Sequence, residues 1–134
     1  MIAEDIARQL RAAGLRWQPA SGDTFAIDRP GMGGERFTVS EMTIEPHHFE
    51  TGTILGFNGT TEWALDSVTV GDAVWLPRED QLRELLRGTF RALRRLEDSF
   101  EVEAEIAGGT CRFEHPDAAE AYGFALLELI GRSQ

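Results

Sequence analysis

Ile54-Leu55-Gly56-Phe57-Asn58-Gly59-Thr60-Thr61-Glu62-Trp63-Ala64-Leu65-Asp66 is the stretch whose reading decides the fold. Asn-Gly is the preferred pair for a two-residue type I′ turn, because both central residues need positive φ. Apolar residues flank it: Ile54, Leu55 and Phe57 before, Trp63 and Leu65 after. Alternation on a strand then puts Trp63 and Leu65 on one face and Glu62, Ala64 and Asp66 on the other. The segment predicts a β-hairpin with Trp63 inward and its acidic neighbours outward.

Working outward, the surrounding sequence keeps a strand-like rhythm. Leu15-Arg16-Trp17 leads to a polar turn at Ser21-Gly22-Asp23, after which Phe25 and Ile27 alternate with other residues. Residues 29–35, rich in glycine with one proline, read as a loop. Phe37 and Val39, then Met42 and Ile44, alternate again, and His47-His48-Phe49 precede a turn at 50–52. Gly71-Asp72 marks another turn before Ala73-Val74-Trp75-Leu76. Residues 15–76 are thus expected to form one continuous antiparallel ribbon.

Helical spacing brackets the ribbon. Ile2, Ile6, Leu10 and Ala13 make one apolar stripe over residues 2–13, with Gly14 as its stop. Pro77 suits the first position of a central helix whose apolar face is Leu82, Leu85 and Leu86, ended by Gly88. Residues 89–97 can extend that helix or form a strand. The strand is preferred, since an interior glycine costs a helix about 1 kcal/mol relative to alanine. Phe100, Val102, Ala104 and Ile106 alternate with Glu101, Glu103 and Glu105; Gly108-Gly109 then turns into Cys111 and Phe113. Pro116-Asp117 opens a last helix that runs to about residue 131. The expectation is an α+β fold, an antiparallel meander sheet with N-terminal, central and C-terminal helices, in a single domain over residues 1–134.

Composition limits the chemistry. All 13 basic residues are arginine, set against 23 carboxylates, for a net charge of −10. Without lysine there is no Schiff-base amine, no P-loop lysine and no Ser-Lys pair. The charge argues against coating nucleic acid or an anionic membrane. Cys111 is the single cysteine, so no intramolecular disulfide can form. The acidic, amphipathic start differs from a signal peptide, and no apolar run approaches a membrane span. A soluble, cytoplasmic protein is expected.

Few residue patterns carry a reaction. His47 and His48 are strand neighbours that point to opposite faces, so a metal would need one of them, His115 and a carboxylate gathered by the fold. No metal-ligand spacing is present, and neither metal nor cofactor is expected. Cys111 reads as buried packing within a strand. Glu62, Asp66 and Asp80 lie near Trp63 and Trp75 in sequence, where an indole can raise a carboxylate pKa by desolvation. From Arg78 to Arg95 the chain has six arginines against three acids. If Arg83, Arg87 and Arg91 align, they can grip a carboxylate or phosphate; the plainer reading pairs them with the glutamates of 101–105.

Gly56-Phe57-Asn58-Gly59-Thr60-Thr61-Glu62-Trp63-Ala64-Leu65-Asp66-Ser67-Val68, followed by Val74-Trp75-Leu76-Pro77-Arg78-Glu79-Asp80-Gln81-Leu82-Arg83-Glu84-Leu85-Leu86, resembles a family of small uncharacterised bacterial proteins. Members of that family often bear a pilus-assembly label. The resemblance implies no established activity and no catalytic residue.

Two functions follow as expectations. The first is a non-enzymatic binding or accessory module acting through Trp63, Asp66, Trp75, Arg78, Asp80, Arg83 and Arg87. The alternative is a small-molecule-binding or hydrolase-like domain using a His/carboxylate pocket, with Asp66 and Asp80 among its groups. The partner is expected to be a protein or small molecule, and the protein a monomer or homodimer.

Overall fold

The computed structural model describes residues 1–27, 36–39, 44–49, 52–57, 67–69 and 73–133, with the backbone alone at 44–49, 52–57 and 67–69. The described elements are α+β: three helices and three antiparallel sheets of three strands each. The chain divides into two compact units, one of Met1–Leu15 with Pro77–Gln134, the other of Arg16–Leu76.

In the first unit, helix α1 spans Glu4–Ala13 and buries Ile6, Ala7 and Leu10. Gly14 adopts φ +114° and returns its N–H to the Arg11 carbonyl, so the predicted stop holds. Leu15 N–H bonds the Leu10 carbonyl at 3.0 Å and closes the helix end instead of opening a strand, a correction to the strand expected from Leu15 to Trp17. Helix α2 spans Glu79–Leu86 and buries Leu82 and Leu86. Pro77 is not its first residue. The Arg78 N–H donates to Gln81 Oε1 at 2.9 Å, which makes Arg78 the N-cap and leaves Pro77 one step outside.

A 3₁₀ turn at Arg87–Thr89 follows, then the sheet of β7 (Phe90–Arg95), β8 (Phe100–Ile106) and β9 (Gly109–His115). Residues 90–95 are a strand, as expected. Val102, Ala104 and Ile106 are buried, while Glu101, Glu103 and Glu105 are half-buried on the opposite face. The β8–β9 corner is Ala107-Gly108 rather than Gly108-Gly109. Both take positive φ (+53° and +79°), and Ile106 faces Gly109 across the ladder. A two-residue corner with this register keeps the apolar residues of both strands on one face.

Helix α3 spans Ala118–Arg132, with Asp117 as its N-cap accepting from Ala119 N–H at 2.9 Å. It packs on β8 and β9 and against α1 and α2. Small residues allow the approach: Ala118, Ala119, Ala121 and Ala125 are buried beside Tyr122 and Leu126. At Gly123 an added Cβ would lie 2.9 Å from Ile6 Cγ2 and 3.1 Å from Ile2 Cδ1, so α1 crosses α3 where there is no side chain.

In the second unit, β1 (Thr24–Ile27) lies between β2 (Phe37–Thr38) and β6 (Ala73–Trp75). A separate sheet has β4 (Gly52–Phe57) between β3 (Ile44–Phe49) and β5 (Ser67–Thr69). The expected ribbon is therefore split between two sheets, with β6 returning to β1. Phe25, Ala26, Ile27, Ala73 and Val74 are all buried, and strands buried on both faces lose polar alternation and pair with their like. Trp17 and Phe37 pack on the core of Phe25, Ile27, Val39 and Ala73. Trp17 Nε1 donates to Asp23 Oδ2 at 2.9 Å.

The Asn58-Gly59 corner, Glu62, Trp63, Asp66, the 29–35 loop and Gly71-Asp72 lie outside the described residues. In the described part of this sheet, Gly56 faces Ser67 and Leu55 faces Val68.

Candidate functional site

The end of α2 and the start of β7 enclose an open cleft of about 320 Å³, lined by Arg83, Glu84, Arg87 and Phe90. Arg83 within α2 and Arg87 at its C-cap both line the cleft, whereas Arg91, the third arginine expected to align with them, is not among its lining residues. The helix does not continue through Arg87. That residue takes φ +53°, ψ −136°, a conformation that side-chain-bearing residues rarely adopt. The chain turns there without using Gly88, the residue expected to end the helix. Strain held in this way concentrates at functional positions.

Tyr122 of α3 neighbours two of the cleft residues, Phe90 and Arg83. Its side chain is fully buried, its ring sits 5.7 Å from the Phe90 ring, and its hydroxyl stands beside the Arg83 guanidinium. That hydroxyl is the first cause that raises the Arg83 pKa above its ordinary value, with Glu79 and Asp80 adding to the effect. The hydroxyl is closed to solvent and makes no hydrogen bond of full geometry among the described residues. Buried hydroxyls are normally paired, so this one is an exception that needs a reason.

The other arginines of the stripe are engaged with neighbours. Arg78 Nε sits 3.2 Å from Asp80 Oδ1. Arg91 donates to the carbonyls of Gly88 and Phe90. Arg94 bridges Glu101 and Glu103 at 3.2 and 2.9 Å, and Arg95 lies 6.0 Å over the Phe100 ring. Among the described residues, no ion pair is recorded for Arg83 or Arg87. The expected pairing of the stripe with the 101–105 strand thus holds for Arg94 and not for the α2 arginines.

Trp63 and Asp66 lie outside the described residues. Trp75, in β6 of the second unit, is half-buried, and its Nε1 is closed to solvent with no partner among the described residues. Arg78 and Asp80 form an exposed pair at the start of α2, and Arg83 and Arg87 share the cleft at its end. Sequence reasoning did not place Glu84, Phe90 or Tyr122 at a site. The available signal was a tyrosine in an apolar helical stripe, whose hydroxyl must find a partner when buried.

His115 Nδ1 accepts from Asp117 N–H at 2.9 Å, and its ring lies 5.9 Å from Phe124, which gives it a place at the β9–α3 junction. His47 and His48 fall in β3, opposite Ile54 and Thr53. Among the described residues no three of His, Cys, Asp and Glu gather as a metal site. Cys111 is half-buried on the edge strand β9 rather than packed in the core. No described helix is long and apolar enough to cross a membrane. No family model, curated protein or solved structure matches the chain.

Proposed function

We propose that this protein is a non-enzymatic binding module that recognises an anionic group through the α2–β7 cleft. One observation carries the reading: two exposed arginines share a concave site without an ion-pair partner among the described residues, while Arg78 and Arg94 are matched to carboxylates. Unpaired guanidiniums beside an aromatic ring are what anion-recognising surfaces use. The residues supply attraction and orientation. They offer no paired nucleophile and base.

The test uses two charge-matched double variants. Anionic and neutral fragments are screened against the full chain by amide chemical shifts. Arg83→Ala/Arg87→Ala is expected to abolish shifts at residues 82–91 caused by anions, and Arg94→Ala/Arg112→Ala to preserve them. Equal loss in both variants, or no response to any anion, would sink the reading.

A further inference from the structure

The geometry points to a more specific ligand class for this cleft: a small monocarboxylate on an apolar body, with the Tyr122 hydroxyl as a specificity-determining donor. This rests on reading Arg83 and Arg87 as the anion grip. The cleft's size, about 320 Å³, suits a small molecule. Planar guanidinium forks match the two oxygens of a carboxylate. Glu84 on the same rim offsets one of the two positive charges, so a monoanion balances the site and a dianion leaves it negative, within a chain of net charge −10. Phe90 supplies an aromatic wall for the apolar body.

Tyr122 gives the second, independent sign. Its buried hydroxyl is unpartnered among the described residues, and its two neighbours Arg83 and Phe90 both line the cleft. The hydroxyl therefore stands just behind the inner wall. Arg83 is exposed and long enough to turn outward toward a carboxylate held jointly with Arg87. That movement uncovers the hydroxyl, whose O–H then donates to a carboxylate oxygen. A hydroxyl left unpaired in the free protein gains its partner on binding, and ligands without an acceptor there are rejected.

Tyr122 is the single tyrosine, so 3-fluorotyrosine labelling of the full chain gives one ¹⁹F resonance. Benzoate, benzamide, phenyl phosphate and inorganic phosphate are the probes. Benzoate is expected to move the resonance saturably, benzamide to leave it unchanged, and both phosphates to bind about tenfold more weakly. Tyr122→Phe should weaken benzoate by roughly tenfold, read from amide shifts at Arg87 and Phe90, while raising the melting temperature. Phosphates binding as tightly as benzoate would overturn the monocarboxylate assignment. Benzoate shifting Arg83 and Arg87 without moving the ¹⁹F line, or binding Tyr122→Phe as well as the parent, would overturn the role of Tyr122 and leave the anion reading standing. Silence of every anion at the cleft would overturn both.

Discussion

Arg94 and Arg112 on the outer face of the β7–β8–β9 sheet have the same side chain as Arg83 and Arg87 at the end of α2, and the opposite surroundings. On the sheet, cross-strand register delivers carboxylates. Glu101 faces Arg94 and Glu103 faces Arg112, and these pairs close at 3.2 and 3.3 Å, with a diagonal Arg94–Glu103 contact at 2.9 Å. At the end of α2 the residues one turn away are Glu79, Glu84 and the strained bend at Arg87, and no ion pair forms among the described residues. A strand ladder fixes its polar partners through backbone geometry. A helix end exposes its side chains to whatever arrives. The sheet arginines are held by carboxylates, whereas Arg83 and Arg87 have no ion-pair partner among the described residues.

The most drastic way to break this contrast is to move the element beneath both sets. Helix α3 packs on β8 and against α2, and it is seated by Gly123 against Ile2 and Ile6. Gly123→Val places methyl groups where even a Cβ lies 2.9 Å from Ile6 Cγ2. The expected loss is roughly 3 kcal/mol of unfolding free energy by urea titration, with shifts at both arginine sets. Gly131 on the same helix has no atom within 4 Å of an added Cβ, so Gly131→Ala should gain about 0.5–1 kcal/mol. A tolerated valine at 123 would show that α3 is not held at this crossing.

Arg87→Gly sharpens the contrast with a change of sign. Glycine adopts φ near +53° without the clash an arginine side chain creates, so the variant should be more stable by about 1 kcal/mol while losing anion response. Arg94→Ala removes a guanidinium from two glutamates and should lose stability instead. Tyr122→Phe belongs with Arg87→Gly. Removing an unpartnered buried hydroxyl is expected to gain about 0.5 kcal/mol, measured by denaturant midpoint at unchanged slope. Gains in stability from cleft residues and losses from sheet residues are what separates a binding site from a scaffold.

How much of this was legible depended on whether the deciding contact was local. The strict alternation from Phe100 to Ile106 and the Pro116-Asp117 helix start were sufficient to place β8 and α3, since each signal lies within a few residues of its effect. The strand at 90–95 followed from Gly88 and Thr89-Phe90. The β8–β9 corner slipped by one residue because facing register, not the glycine pair, sets it; Ala107 takes positive φ to keep the register. Ala73-Val74-Trp75 showed that it was buried but not beside which strand, so its return to β1 was not readable. The spacing of Arg83 and Arg87 marked half of the cleft. Phe90 and Tyr122 join it through a ring contact between residues far apart in sequence, a contact no periodicity encodes.

The smallest effect lies on the sheet side and is read by acid. Arg94 first, then Arg112, holds the Glu103 carboxyl below its ordinary value of 4.5. A carboxylate whose pKa falls on folding adds stability above its unfolded pKa, and that contribution is lost as pH falls through the folded value. The window therefore opens near pH 4.5 and extends below it. The effect stays small because the Arg94 and Arg112 side chains are 45% and 60% exposed, where water and salt screen the attraction. Glu103→Gln should flatten stability against pH in this window by a modest amount, and 1 M salt should flatten the parent in the same way. Arg83→Ala/Arg87→Ala should leave the slope untouched, because no carboxylate of the sheet is tied to those residues. If removing the helix arginines changed the acid slope as much as removing Arg94 did, the two sets would share one electrostatic network, and the cleft's charges would already be spent within the fold.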